Sequence, residues 1–170
     1  MKQPQEGILE HFQDHIYMIL RSRNDFQGLR IASRKRSNLE TFCEQLVLEG
    51  IGEGLFVSPP LPRKLIENVL GPIYERIDFS VQVIENIITN QTGRSAILIA
   101  EKVASLLHLH AINFGENVWT ITCRTQDPWT FEGDTCKNVI TIHFTTMGSV
   151  QMGFYPGTAP RSIEGGILPP

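Results

Sequence analysis

The chain has 170 residues, a net charge of −3 and 41% hydrophobic residues. This length predicts one domain, and the near-neutral charge gives no overall signal for nucleic-acid binding. The sequence has no apolar run long enough to cross a membrane and no apolar segment near its start. We therefore expect a protein that is made and kept in the cytoplasm.

Three cysteines, Cys43, Cys123 and Cys136, are odd in number and lack the Cys-x-x-Cys spacing of zinc and redox sites. Disulfides are rare in cytoplasmic proteins. The sequence therefore predicts three buried free thiols.

The first predicted element is an amphipathic helix over residues 7–21. Its core stripe follows helical spacing and consists of Ile8, Phe12, Ile16, Ile19 and Leu20. His11 and His15 lie four residues apart on one side of this helix, a spacing that can bind a metal ion. Because no glutamate follows His11 as in the HExxH pattern, we expect the pair to face solvent or a partner.

A strand, a helix and a second strand are predicted next, over residues 29–33, 37–48 and 55–58. Ser37 and Glu40 form a capping box that starts the helix, and Gly50 ends it. The residues expected to face the core are Leu39, Phe42, Cys43, Leu46 and Val47. The prolines that follow predict a connection with one turn of helix around residues 65–70.

A strand, a polar loop and a helix follow over residues 79–85, 86–95 and 96–108. Alternating apolar residues predict one well-buried face for the strand. The residues expected to face the core from the helix are Ile99, Val103, Leu106 and Leu107. Ser95 is the predicted N-cap, and Asn90 and Gly93 are the places where the loop can adopt positive φ.

A strand–loop–helix unit of this kind can bind phosphate at the helix N-terminus. This loop has one glycine and contains neither Gly-x-x-x-x-Gly-Lys nor Gly-x-Gly-x-x-Gly. We therefore expect a solvated connection here and no nucleotide site.

Two more strands are predicted over residues 118–124 and 138–146. The link between them is long for a hairpin, so we expect it to have a function or to be mobile. From residue 148, five glycines and four prolines predict a segment that is disordered or lies as an extended arm on a neighbour. The prediction is an α/β domain over residues 1–147, in the order α-β-α-β-β-α-β-β around one mixed sheet, with a C-terminal extension over residues 148–170.

No convergent catalytic site is visible in the sequence. No serine lies in a Gly-x-Ser-x-Gly motif, and no cysteine lies in an activating motif. The acidic residues Glu85, Glu101, Glu132 and Asp134 are scattered. His108 and His110 point in two directions from the end of their helix, where a solvated imidazolium is favoured. We therefore predict no enzyme activity, no cofactor and no metal ion.

The one concentration of charge is a basic cluster of Arg21, Arg23, Arg30, Arg34, Lys35 and Arg36. Acidic residues nearby dilute it, so a solvated face is the first interpretation. The alternative is contact with an acidic partner or with passing DNA phosphates, for which Arg30, Arg34, Lys35 and Arg36 are the candidates.

Three motifs follow one another in the central segment. The strand ends VQVIEN at residues 81–86, the loop contains NQTGR at residues 90–94, and the Ala-rich helix ends LLH at residues 106–108. Together with the order of the elements before them, over residues 7–110, they resemble the phage minor tail proteins known as tail terminators or tail-completion proteins.

The resemblance implies a subunit that forms a ring, commonly a hexamer, on the head-proximal end of the tail tube. Its partners would be further copies of itself, the tail tube protein and the head–tail connector protein, with DNA only passing through the channel and no membrane. It would be assembled in the host cytoplasm and located in the virion tail. Ring contacts would come from loops and termini: Asn86, Asn90, Thr92, Arg94, Trp129, Phe131, Phe154 and Tyr155.

Two other functions stay open from the sequence. One is a small cytoplasmic binding module, and the other is a metal-dependent enzyme that uses His11 with His15 or His108 with His110. The oligomeric state distinguishes the ring from both, and metal analysis tests the enzyme.

Overall fold

The computed structural model describes residues 6–33, 38–66, 73–114, 117–147, 150–151 and 154–155. In these ranges the α-helices are α1 (Ile8–Arg21), α2 (Leu39–Leu48) and α3 (Ala96–Leu107). The strands are β1 (Glu6–Gly7), β2 (Arg30–Ser33), β3 (Glu53–Val57), β4 (Leu61–Ile66), β5 (Ile73–Asn86), β6 (Ala111–Phe114), β7 (Asn117–Cys123), β8 (Trp129–Gly133), β9 (Lys137–Met147), β10 (Val150–Gln151) and β11 (Phe154–Tyr155).

The described strands form one nine-stranded mixed sheet and a separate two-stranded pair, β1 with β11. The main path through the sheet is β2-β3-β5-β9-β7-β6; β4 and β10 also pair with β5, and β8 pairs with β9. β2 and β3 are parallel, and the other neighbours are antiparallel. The mixed α/β class and the predicted order of eight elements are confirmed, with further strands before, between and after those elements.

The long strand β5 lies at the centre of the sheet. Along one of its edges, β4 pairs with residues 73–78 and β3 with residues 81–85. Two prolines, Pro59 and Pro60, separate β3 from β4, because proline cannot donate a hydrogen bond to a strand partner. The strand predicted at residues 79–85 is therefore confirmed as the second half of a longer one.

Apolar side chains form two cores on opposite faces of this sheet. In the larger core, α1 and α3 pack on the sheet through residues that include Phe12, Ile16, Val81, Val103 and Phe144. In the smaller core, α2 packs through Phe42, Leu46, Phe56, Ile84 and Val139. Because side chains alternate along a strand, successive residues of β3 enter different cores. The sheet is thus enclosed by α1 and α3 on one face and by α2 on the other.

The core-facing sides predicted for α1 and α3 are confirmed. Their buried residues include Phe12, Ile16, Leu20, Ile99, Val103 and Leu107. The Leu98 N–H donates to Ser95 Oγ (3.2 Å), so Ser95 is the N-cap of α3, and Gly93 has the predicted positive φ of 73°. Asn90 does not have positive φ, contrary to prediction, because it sits within a fixed network described below.

Two details of α2 differ from the prediction. The cap is Asn38, whose Oδ1 accepts from the Thr41 N–H (2.8 Å), and the predicted cap Ser37 lies outside the described residues. Val47 is 61% exposed, although it was predicted to face the core. It is rotated by about 100° from the buried Leu46, and α2 presents only a narrow stripe to the sheet.

Two predicted connections contain strands. Residues 65–66 end β4 and are not helical, because the first half of β5 offers them a strand partner; residues 67–70 lie outside the described part. The predicted loop over residues 125–137 contains β8, which pairs with β9 as a hairpin. The alternation of aromatic and polar residues in this short strand was the signal for it.

The three cysteines are free thiols, as predicted. Cys43 and Cys123 are partly buried, and burial raises the pKa of both thiols. Cys136 is exposed, so the prediction of burial is wrong for it. It lies in the turn between β8 and β9.

Four residues of the predicted C-terminal extension pair with the chain's own domain. β10 pairs with the start of β5, and β11, which contains Phe154 and Tyr155, pairs with β1. This part of the extension therefore lies on its own subunit. Residues 156–170 are outside the described range, so the arm on a neighbour stays a prediction for them.

Candidate functional site

The polar loop over residues 86–95 is fixed to the end of the sheet by Glu85. This carboxylate accepts hydrogen bonds from Asn90 Nδ2 (2.7 Å), Asn138 Nδ2 (3.2 Å) and the Ala96 N–H (3.3 Å). The last of these donors is the first residue of α3, where a negative charge favours the helix dipole. One side chain thus holds the loop, the hairpin strand β9 and the start of α3.

A second glutamate braces the same end of the sheet. Glu53 is opposite Glu85 in the β3–β5 pairing and only 2% exposed. Its Oε2 forms an ion pair with Arg94 Nη2 (3.2 Å), and its Oε1 has no hydrogen-bond partner in the described part of the chain. The Asp25 carbonyl also accepts from Arg94 Nη1 (3.4 Å). Arg94 is therefore committed to contacts within the chain.

The remaining loop residues also bond within the loop. Asn86 Oδ1 accepts from the Ile88 and Thr89 N–H groups (3.1 and 3.3 Å). Asn90 Oδ1 accepts from the N–H and hydroxyl of Thr92 (3.1 and 2.9 Å). Of the predicted contact residues in this loop, Asn86, Asn90 and Arg94 thus have structural roles, while Thr92 remains exposed.

Gly52 explains why this loop fits so closely against the sheet. A Cβ at this position would lie 2.5 Å from Asn90 Cα, too close for any side chain. The apolar turn of the loop is also exposed: Ile88 is 72% exposed. We call the assembly of Glu53, Glu85, Asn90 and Arg94 the braced end of the sheet.

The hairpin strand β8 places two predicted contact residues on one edge. Trp129 is partly buried against the larger core, and Phe131 is 64% exposed. Both lie on the sheet face that α1 and α3 cover, because they pair with Ile142 and Ile140 of that core. β8 has a strand partner only on its β9 side among the described residues. It therefore presents an aromatic free edge.

A cleft of about 540 Å³ lies along β2, the strand at the opposite end of the sheet. Its lining residues come from α1, from the segment before β2, from β2 and from α2: Tyr17, Arg21, Phe26, Gln27, Gly28, Leu29, Arg30, Ile31, Ala32 and Gln45. We call it the edge cleft. The sequence pattern did not predict it, because its lining residues come together only when α1, β2 and α2 pack next to one another.

The predicted basic cluster is only partly placed by the structure. Arg30 pairs with Glu49 (3.1 Å), and the Arg21 guanidinium lies over the Tyr17 ring and donates to its hydroxyl (3.2 Å). Arg34, Lys35 and Arg36 lie outside the described residues. Two of the six basic residues thus line the edge cleft.

Three of the histidines come together although they are far apart in sequence. The ring centroids of His11 and His15 are 6.5 Å apart, and those of His15 and His110 are 6.2 Å apart. Burial, followed by His110 and His11, lowers the pKa of His15 below its usual value. His108 points elsewhere, as predicted, and its Nδ1 accepts from the Cys123 N–H (3.2 Å). Among the described residues, no group of three or more His, Cys, Asp or Glu has a geometry that could hold a metal ion.

Asp134, one of the scattered acids, also has a structural role. Its carboxylate accepts from the N–H groups of Cys136 (2.7 Å) and Lys137 (2.8 Å), and these bonds lower the pKa of the carboxyl group. It thereby fixes the turn between β8 and β9.

Of the helices that the structure describes, none combines the length and apolar composition needed to cross a membrane.

Comparison with known proteins supports the fold and adds nothing on function. No protein-family model and no curated protein matches the chain. A solved structure of a protein designated only by a sequence identifier is similar, with 18% identity and a TM-score of 0.50. The match covers 85% of this chain and 92% of that one. The likeness shows a shared fold only.

Proposed function

We propose that this chain is the subunit of a ring that caps the head-proximal end of a phage tail tube and joins it to the head connector. The observation that carries the proposal is the sheet, whose terminal strands β2 and β6 have no further strand partner among the described residues. They lie at opposite ends of the strand order. Two different edges on one subunit suit head-to-tail contacts, which close into a ring when the rotation between copies allows it.

The edges differ in chemistry as a head-to-tail contact requires. The β2 side has the edge cleft with two arginines, and the other side has β6 and the aromatic strand β8. Exposed strand edges are usually blunted or covered in monomeric proteins, because they otherwise pair with other chains. A ring contact would cover them.

The motifs that resemble the tail terminators also suit a structural role. Their polar side chains, Glu85, Asn90 and Arg94, bond to the sheet and to the start of α3. They fix the position of a helix against a strand and leave no reactive group in a cleft. Such a rigid unit is what a subunit needs to hold its edges at a constant angle around a ring.

Light scattering of the purified full chain, combined with electron microscopy, tests the proposal. We expect a closed ring, with six copies as the first expectation, and tubes of the cognate tail tube protein that stop growing when the chain is added. Tubes grown with a heat-unfolded sample of the same chain are the control. A chain that stays monomeric at all concentrations and leaves tube length unchanged would contradict the proposal.

A further inference from the structure

The outer edge of β2 is open in the part of the chain that the structure describes. β2 pairs with β3 in parallel along all four of its residues, and no described strand lies on its other side. Alternate N–H and C=O groups on that side of a terminal strand are free to bond to an added strand. The edge is about 13 Å long at a rise of about 3.3 Å per residue.

This open edge is recessed and not flat. Tyr17 and Arg21 of α1 form one wall of the edge cleft, and Gln45 of α2 forms the other. Along the strand between them, Ile31 packs on the larger core and Ala32 on the smaller one. The cleft therefore offers walls on both sides of the strand to a segment that pairs with it. This is the geometry by which extended peptides add to a sheet.

The cleft also carries a cation, Arg21, that has no carboxylate partner among the described residues. Arg21 contacts the Tyr17 ring at 5.9 Å from its centroid and bonds to the Tyr17 hydroxyl, and no described carboxylate lies within ion-pair distance of it. Arg30, in contrast, is already paired with Glu49. An acidic residue on the added strand would therefore find its partner at Arg21.

The chain itself contains a segment with the required chemistry. After Tyr155 it reads PGTAPRSIEGGILPP, and residues 161–168, RSIEGGIL, form the longest part of this segment without proline. Proline-free backbone can bond along its whole length, and the flanking prolines limit the pairing to these residues. Ile163 and Ile167 favour a strand, and Glu164 is the one acidic residue of the segment.

We propose that residues 161–168 of one copy add to β2 of the neighbouring copy, within the edge cleft, with Glu164 facing Arg21. The proposal rests on the ring proposed above, since the ring supplies the neighbour. Five residues, 156–160, connect Tyr155 to the docked segment and span at most about 20 Å when extended, so the docked strand starts within about 20 Å of β11. The alternative occupant of each cleft is residues 161–168 of the same copy.

Disulfide cross-linking between two kinds of full-length chain tests the proposal. One chain carries Arg30→Cys in the cleft, and the other, distinguished by a mass tag, carries a cysteine at Ser162, Ile163 or Glu164. Both carry Cys136→Ser, because Cys136 is exposed. We expect a disulfide-linked heterodimer whose yield differs several-fold between successive tail positions, because side chains of a paired strand alternate in direction. Asn113→Cys, on the terminal strand β6 at the other end of the sheet, is the matched control and should link far less.

A charge exchange tests the contact with Arg21. Arg21→Glu in the cleft copy should lower the yield by about five-fold, and Glu164→Arg in the tail copy should restore it. Arg23→Glu, two residues further along the chain and outside the edge cleft, should have no effect. Melting curves of each variant show whether the fold is retained.

Each outcome separates the docking from the ring. Equal yields at all tail positions, or equal linking to Asn113→Cys, would overturn the docking. A disulfide that forms within one chain, with no heterodimer, would place residues 161–168 in the cleft of their own copy. That result would also overturn the docking between copies. If rings form in light scattering while the cross-link fails, the ring function stands and the docking is wrong. If alternating cross-links form without rings, the docking stands and the ring is wrong.

Discussion

The braced end of the sheet and the edge cleft are both polar, but they use their polar groups in opposite ways. At the braced end, Glu85 alone receives three hydrogen bonds from three different segments, and Arg94 is paired with a buried carboxylate. At the edge cleft, Arg21 has no carboxylate partner among the described residues, and β2 has an open side.

The difference shows where this molecule can bind something else. A polar segment rich in Asn, Thr and Arg looks like a contact surface in sequence, yet here it satisfies its own groups and stabilises the fold. The groups that remain available belong to strand edges, which no sequence motif marks. Substitutions in one region or the other should therefore affect either the stability of the fold or the assembly.

The largest effect is expected in α3, the helix that the braced end positions. Val103 is completely buried in the larger core, so Val103→Asp places an unpaired charge there and should cost more than about 3 kcal/mol of unfolding free energy, enough to unfold the subunit. Ile97→Asp is the matched control, because Ile97 lies on the same helix but is 57% exposed, and it should change stability by less than about 0.5 kcal/mol. Thermal melts of both variants measure the two effects. Equal melting temperatures would mean that Val103 does not lie on the buried face of α3.

The second prediction removes the brace. Arg94→Ala leaves the buried Glu53 carboxylate without its partner and should cost about 3 kcal/mol, the lower end of the range for breaking a buried pair, because Arg94 is only partly buried. Adding Glu53→Gln should recover part of the loss, since the unpaired charge is then gone.

The control for the brace is an exposed ion pair. Lys102→Ala removes the pair with Asp25 (3.4 Å) and should cost less than about 1 kcal/mol in urea unfolding. A loss for Arg94→Ala as small as that for Lys102→Ala would show that the braced end is not a stabilising unit.

The third prediction concerns two partly buried histidines, His15 on α1 and His143 on β9. The pKa of His15 is lowered by burial and by His110 and His11, and the pKa of His143 is lowered by burial and by Arg124. In the unfolded chain these histidines have a pKa of about 6.5, so below that pH they bind protons that the folded chain does not bind. The free energy of unfolding should therefore be highest above pH 6.5 and should decrease as the pH falls toward the lower pKa values of the folded state.

Unfolding in urea at pH 7.5 and pH 5.5 measures this loss. His15→Gln and His143→Gln should each flatten the pH dependence, and the double variant should flatten it most. A double variant with the same pH dependence as the original chain would show that other groups cause it.

The sequence predicted the elements with a strong local pattern and missed short strands and contacts between distant residues. The periodicity of α1 and α3 and the Ser95 cap are encoded within one turn or one face, and the structure confirms them. β4 and β8 pair with the strands that follow them directly in sequence, and they were missed because each is short and lies in a segment interpreted as a connection. Glu53 gave no signal either, since its role exists only once β3 lies beside β5 and the loop returns to it.

The smallest effect on folding is expected for a pair of exposed apolar residues, one in each kind of region. Phe131 lies on the free edge strand β8, and Ile88 lies in the turn at the braced end; both are mostly exposed. Phe131→Ser and Ile88→Ser should therefore each change the unfolding free energy by less than about 1 kcal/mol. If strand edges form the ring contact, Phe131→Ser should raise the dissociation constant of the assembly by about ten-fold, because one aromatic side chain is no longer buried at the interface. Ile88→Ser should leave assembly unchanged. Light scattering over a concentration series measures both. Weaker assembly with Ile88→Ser and normal assembly with Phe131→Ser would reverse the comparison and place the contact at the braced end.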